Sequence, residues 1–419
     1  MPAEYAISTN ASSARILTQL LDDTRFNMAR TIDYPVFDSD NHMYETEDAF
    51  TRYLPEKYKG AIKYVQVNGR TKIAVNDKIS EYIPNPTFSV VARPGAQEDF
   101  YRNGNPEGKS LREIFGEPIK CPEWARNATA RLPHLDELGL DGTLMFPTLA
   151  SLLEERMRDD PDLCHAATHS LNQWIYDEWS FNHKERIFAT PVIALPIVEK
   201  AIEELEWVLD KGAKCILIRP APAWGLRGPR SPGLEEFDPF WARVQESGVF
   251  VGMHSSDSGY ADLSSIWEGK GEFLPFKSNP FRGLVMGNRP ITDMMNAMIC
   301  HGAFTRFPDM RFGTIENGGT WVKPLVDALN GIYKKMPKDF AEHPVESFTR
   351  NVYVNPFWED GLDDLINIMS PDRLLFGSDY PHPEGMANPI DFVDDLPSSL
   401  SDADVAKIMG GNLKELLGA

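Results

Sequence analysis

Eight apolar or β-branched stretches of strand length recur along this chain, with amphipathic helical patterns between most of them. They are Val36–Asp40, Gly142–Pro147, Phe188–Leu195, Lys214–Arg219, Val249–His254, Arg311–Glu316, Asn351–Asn355 and Arg373–Asp379. The helical segments are Leu163–Asn182, Val198–Lys211, Leu234–Gln245, Ile291–Phe304, Val322–Lys334 and Gly361–Ile368. A strand that reads as a continuous apolar run must be covered on both faces, and helices between successive strands supply that cover, so the sheet is parallel. Eight such strands with polar residues at their C-terminal ends fit an α/β fold of the (β/α)8 TIM-barrel type better than an open sheet. On this reading residues 1–35 are an N-terminal extension and residues 36–419 are the barrel.

Two segments break the period. Residues 53–139 are rich in Pro and Gly and read as an insertion after the first strand that folds over the barrel mouth. Within it, Lys63–Ala74 alternates enough for a hairpin around Asn68-Gly69. The second segment, Pro220–Glu236, holds so many prolines and glycines that regular structure is not expected, and its place after a barrel strand favours a functional loop. The amphipathic stretch Ala14–Leu21 could cover a neighbouring subunit or the chain's own barrel.

Four strand ends carry side chains able to hold a metal. Asp40 and His42 alternate on the first strand and so face the same way, with Glu45 three residues on; His254, Glu316 and Asp379 end the fifth, sixth and eighth. A parallel barrel brings all four ends to one face. Mixed imidazole and carboxylate donors without cysteine suit a catalytic zinc, manganese or iron site with an open position.

These residues resemble the amidohydrolase superfamily, in the branch that includes aminocarboxymuconate semialdehyde decarboxylase and related hydrolases and aromatic-acid decarboxylases. The resemblance runs from about Val36 to Leu417 and leaves the insertion unmatched. It rests on Asp38-Ser39-Asp40-Asn41-His42, Met253-His254, the run Arg306–Phe312 into Glu316-Asn317-Gly318-Gly319-Thr320-Trp321, and Gly377-Ser378-Asp379-Tyr380-Pro381-His382. The resemblance implies Asp40, His42, His254 and Asp379 as ligands, with Glu316 added. Asp40 and Glu316 stand where the family often has histidine, which favours a harder ion such as manganese or iron over zinc. Glu45, His301 and His382 are then surplus and could support a second ion, so the expected content is one or two divalent transition metals per chain.

The catalytic candidates are Asp379, His382 and Glu45, the last equally readable as a helix cap. His301 falls inside a helical pattern, where a structural hydrogen bond competes with ligation. Arg219 could fork onto a substrate carboxylate or sit in a salt bridge. Trp224, Phe357 and Trp358 fall in mouth loops and could line an apolar pocket. The implied activity is metal-dependent hydrolysis or decarboxylation of a small organic, aromatic or cyclic acid. A dinuclear iron-type oxygenase and an inactive scaffold subunit are the alternatives.

A formal charge of −20 from 42 basic and 62 acidic residues opposes nucleic-acid and anionic-membrane partners and leaves a small-molecule substrate. An oligomer of identical or paralogous subunits is expected. Cys121, Cys164, Cys215 and Cys300 form no CxxC pair and read as free thiols in a reducing compartment. With neither a signal-peptide pattern nor a long apolar run, the chain reads as cytoplasmic.

Overall fold

The first strand, Phe37–Met43, pairs in parallel with the second, Gly142–Pro147, and the second with the third, Ile187–Ala189. The fourth to seventh strands, Cys215–Leu217, Phe250–His254, Phe312–Ile315 and Val352–Val354, form a second parallel sheet in that order. This computed structural model describes residues 30–80, 82–83, 85–269 and 279–419; the Ala14–Leu21 stretch and most of the N-terminal extension lie outside them. Residues Tyr34–Ala419 form one unit.

Two junctions close the sheets into a ring. Leu217 N donates to Pro191 O at 2.8 Å and Ile193 N to Leu217 O at 2.9 Å, joining third and fourth strands. On the other side Leu375 N donates to Val354 O at 2.9 Å, and Ser39 N to Phe376 O at 2.8 Å, so residues 374–376 bridge the seventh strand and the first. The eighth position is therefore filled without a regular ladder. The third strand is shorter than its sequence predicts because Pro191 has no N–H to give, and the chain changes partner there from the second strand to the fourth. The parallel barrel expected from the sequence is the fold.

The helices follow the predicted pattern with shifted ends. Pro161–Trp179 begins where Asp160 Oδ1 accepts the Leu163 N–H at 3.0 Å and Pro161 occupies the first turn. Its Leu163, Ala167, Leu171, Trp174 and Ile175 recur at helical spacing and are buried against the sheet. Burying Trp174 and Leu171 this way stabilises by about 1.5–3 kcal/mol per large side chain. Val198–Asp210, Asp238–Ser247, Arg289–Cys300, Val322–Lys335 and Asp363–Met369 cover other parts of the ring.

In the 53–139 segment, Ile62–Val67 pairs antiparallel with Arg70–Val75 around Asn68 (φ 50°) and Gly69 (φ 76°), as the Asn-Gly pair predicts. The 220–236 loop departs from expectation. Ala223–Gly225 pairs with Gly228–Arg230, a tight hairpin made possible by the positive φ of Gly228. Among the described residues no helix is long and apolar enough to cross a membrane.

Candidate metal centre

The four strand ends converge. His254 Nε2 lies 3.1 Å from His42 Nε2, 3.4 Å from Asp40 Oδ1 and 3.1 Å from Glu316 Oε2. His42 Nε2 lies 3.4 Å from Asp40 Oδ1, 3.9 Å from Glu316 Oε2 and 3.4 Å from Asp379 Oδ1. Asp40, His42, His254 and Glu316 thus form one group of donors, and His42, Asp379 and His382 a second that overlaps it.

Local sequence sets each donor. The first strand is buried along its whole length; Asp40 and His42 alternate toward the cluster, while the register shift between Asp38 and Asn41 turns Asp38 toward Asn41 and Ser378. Asp38 anchors the corner: its carboxylate accepts from Asp40 N at 2.9 Å, Asn41 Nδ2 at 2.6 Å, and Ser378 N and Oγ at 3.0 and 2.5 Å. Burial pushes the Asp38 carboxyl up to about 7 despite these bonds. The fully buried Arg131 donates to Asn41 Oδ1 and lies 5.1 and 5.2 Å over the rings of Trp124 and Tyr380. Gly377 lets the eighth segment approach; a Cβ there would stand 2.8 Å from the Asp40 Cβ and 2.7 Å from Asn355 Nδ2. Glu316 and Asp379 both adopt positive φ, 52° and 56°, a strained backbone that the surrounding packing must hold.

The imidazoles are oriented for coordination. His254 Nδ1 lies 2.7 Å from the Ser255 carbonyl, so it carries the proton and leaves Nε2 free to donate a lone pair. His42 Nδ1 faces Thr148 Oγ1 at 3.4 Å and its Nε2 points into the cluster. Asp40 Oδ1 is buried with no hydrogen-bond partner. Burial raises the Glu316 carboxyl well above its ordinary range, and the Asp379 charge adds to this. Burial likewise raises Asp379, reinforced by Glu384, Asp40 and Asp38. Burial would also raise Asp40, but the imidazoles of His254 and His42, each 3.4 Å from its Oδ1, outweigh it and hold that carboxyl down to about 2. Buried carboxylates that repel one another around an unpartnered oxygen and two inward nitrogens are the environment a divalent cation neutralises. The residues fit such an ion.

Above the cluster lies a cavity of about 410 Å³, lined by His42, His254, Glu316 and His382 on one side and by Tyr82, Phe88, Val90, Val91 and Phe115 of the inserted segment on the other. His382 Nδ1 lies 2.7 Å from Asp379 Oδ1 and its Nε2 lies 3.2 Å from Thr148 Oγ1. Burial lowers the His382 pKa.

Several expected residues lie elsewhere. His301 is exposed at the end of Arg289–Cys300, with Nδ1 2.7 Å from Ser231 Oγ, and does not join the cluster. Glu45 is fully buried, and its Oε1 accepts from Leu149 N at 2.7 Å, where the chain enters Ala150–Arg156. It serves as a cap, and burial pushes its carboxyl up to about 8. Arg219 pairs with Glu155 at 3.0 Å and donates to the Asp257 carbonyl at 2.9 Å, so its guanidinium is already engaged. Trp224 lies under Arg158, Trp358 under Arg102, and Phe357 packs on Gly318; none lines the cavity. The sequence reading missed Thr148, the polar residue just past the second strand, and the aromatic residues of the insertion. Thr148 carried the same strand-end signal as His254.

The amidohydrolase family model matches residues 123–419. An amidohydrolase structure from Mycobacterium avium subsp. paratuberculosis K-10 is 37% identical, with a TM-score of 0.87 over 93% of this chain and 100% of that one. A dihydroxybenzoic acid decarboxylase from Polaromonas sp. JS666, solved with manganese and 2-nitroresorcinol, shares the fold at 16% identity and a TM-score of 0.54, covering 92% of this chain and 97% of that one. A curated relative, the 2-amino-3-carboxymuconate-6-semialdehyde decarboxylase of Dictyostelium discoideum, is 25% identical over 129 residues. That match spans 29% of this chain and about a third of the relative, 35%. The chain belongs to the amidohydrolase family, and it is an enzyme.

Proposed function

We propose that this enzyme is a metal-dependent decarboxylase of small aromatic or cyclic acids. The observation that carries the reading is the Asp379–His382 couple at the edge of the donor cluster. Without the ion, burial and the charges of Glu384, Asp40 and Asp38 raise the Asp379 carboxyl, and its Oδ1 lies 2.7 Å from His382 Nδ1, so the couple shares a proton. A protonated carboxyl is an acid, which decarboxylation needs at the reacting carbon, whereas hydrolysis first needs a base toward water. The decarboxylases among the similar proteins support the same direction.

Asp40, His42, His254 and Glu316 would hold the ion, with Asp379 beside them. A divalent ion there would supply the positive charge that anchors the substrate carboxylate and fixes the ring carbon that bears it. The insertion's apolar wall holds the ring and excludes water. Asp379 gives its proton to the ring carbon that bears the carboxylate. The carbon–carbon bond then breaks, its electron pair restores the ring, and carbon dioxide leaves. His382 bonds Asp379 through Nδ1 and faces Thr148 through Nε2, a route by which a proton from water refills the carboxyl.

One ion per chain fits better than two. Both donor groups use His42, whose Nε2 faces Asp40, Glu316 and Asp379 alike, and one imidazole nitrogen has one lone pair. That sharing favours the mononuclear reading over the dinuclear oxygenase.

The test is carbon dioxide release from hydroxylated benzoates by metal-replete protein. Asp379→Asn should abolish turnover with the circular dichroism spectrum unchanged, and His382→Asn should lower kcat by about 10²–10⁴-fold. Full turnover in Asp379→Asn, or dioxygen consumed in proportion to product, would overturn the proposal.

A further inference from the structure

One carboxylate on the cavity wall belongs neither to the donor cluster nor to the Asp379–His382 couple. Glu384 lines the cavity together with Tyr44, Tyr82 and Asn85. Its Oε2 is buried with no hydrogen-bond partner. The loop that carries it is fixed against the eighth segment: Gly385 N donates to His382 O at 3.3 Å and Met386 N to Ser378 O at 2.9 Å. Gly385 allows that contact, since a Cβ there would stand 2.5 Å from both the Asp379 and Ser378 carbonyl oxygens. The charge of Glu384 also bears on Asp379, Glu316, His382 and Tyr44, so it faces the same space as the reacting groups.

The rest of the wall sharpens what this carboxylate can meet. Ile83, Phe88, Val90, Val91, Ala92 and Phe115 are apolar, and none of the described lining residues is Lys or Arg. A substrate carboxylate therefore has one electropositive place to go, the cation held by the donor cluster. A second carboxylate would meet Glu384, apolar side chains and neutral polar groups such as Tyr82 and Asn85, but no second cation among the described lining residues. A hydroxyl or amino group would instead give the unpartnered Oε2 the hydrogen bond it lacks.

We infer that Glu384 is a specificity-determining residue that accepts a hydrogen bond from a hydroxyl or amino substituent on the substrate ring and rejects substrates with a second carboxylate. This rests on the decarboxylase reading for the identity of the reacting group, but it is tested by binding alone. It predicts a substrate class, ring monocarboxylates with a donor substituent away from the carboxylate.

The experiment is calorimetric titration of metal-loaded wild type, Glu384→Gln and Glu384→Ala with benzoate, the three hydroxybenzoates, the three aminobenzoates and benzene-1,3-dicarboxylate. In wild type, at least one hydroxy- or aminobenzoate should bind about tenfold more tightly than benzoate, and the dicarboxylate more weakly than benzoate. Glu384→Ala should bring the ratio of the preferred ligand's affinity to that of benzoate to within about threefold, with both affinities read in the same variant so that the loss of a charge near the cation cancels. Should the alanine variant not fold, Glu384→Gln serves: loss of the charge should raise dicarboxylate affinity relative to benzoate by about fivefold or more. Absence of any preference in wild type, a preference that survives in Glu384→Ala, or a dicarboxylate penalty unchanged in Glu384→Gln would overturn the inference. A protein that discriminates in this way but releases no carbon dioxide would refute the decarboxylase reading and leave the role of Glu384 standing.

Discussion

Replacing His165 tests how a buried histidine far from the cluster couples the fold to pH. It sits on Pro161–Trp179, 8% exposed, and its Nε2 accepts the Ile197 N–H at 3.0 Å, at the start of Val198–Asp210. Only an unprotonated nitrogen can accept that bond. Burial, aided by the Lys200 charge, lowers its pKa from 6.5 to about 4. The sign follows. Above pH 6.5 the imidazole is neutral in both folded and unfolded chains, and its full contribution to stability is present. As pH falls from 6.5 toward 4 the unfolded chain takes up a proton that the folded chain refuses, so stability is lost across that window. At about 1.4 kcal/mol per pH unit, the difference is on the order of 3 kcal/mol. Urea denaturation at pH 7.5 and pH 4.5, with chelator present throughout so that metal loss does not enter, measures it. His165→Gln keeps an acceptor but cannot titrate, and should lose about 2–3 kcal/mol less than wild type between the two pH values. Equal losses in the two proteins would refute the reasoning.

Two further substitutions separate packing from chemistry. Gly377→Ala places a methyl group against Asp40 and Asn355; it should cost about 1–3 kcal/mol in denaturation and weaken metal binding, because Asp40 must move. Arg219→Ala removes one of the two guanidinium partners of Glu155, leaving Arg158 at 2.7 Å, and takes a donor from the Asp257 carbonyl; it should destabilise by about 1–3 kcal/mol, with KM for a carboxylate substrate unchanged, since Arg219 does not line the cavity. A large rise in KM without loss of stability would restore Arg219 to substrate binding.

Much of the barrel was legible because its strands are short apolar runs whose C-terminal residues are polar for no packing reason. Asp40, His42, His254, Glu316 and Asp379 were found that way, and the fold brought them together. The third strand was overestimated because hydrophobicity does not record that Pro191 lacks an N–H. Glu45 and Arg219 illustrate another limit. Sequence shows which side chains stand near a strand end, but whether a carboxylate or a guanidinium is taken by a backbone N–H or a neighbouring acid depends on helices distant in sequence. His301 looked like a donor by residue type alone, and the turn that ends its helix leaves it on the surface. The cavity wall was illegible for a related reason. Tyr82, Phe88 and Phe115 lie in a segment without barrel periodicity, and only its folded path brings them over the mouth.

The central claim is that the strand-end donors hold one divalent ion, and metal content tests it most directly. Mass-spectrometric analysis of protein purified with zinc, manganese and iron supplied should find about one transition-metal ion per chain in wild type, as in a mononuclear catalytic site, and almost none in the His42→Ala, His254→Ala double variant. Wild type without metal, or a folded double variant that keeps its full content, would contradict the account.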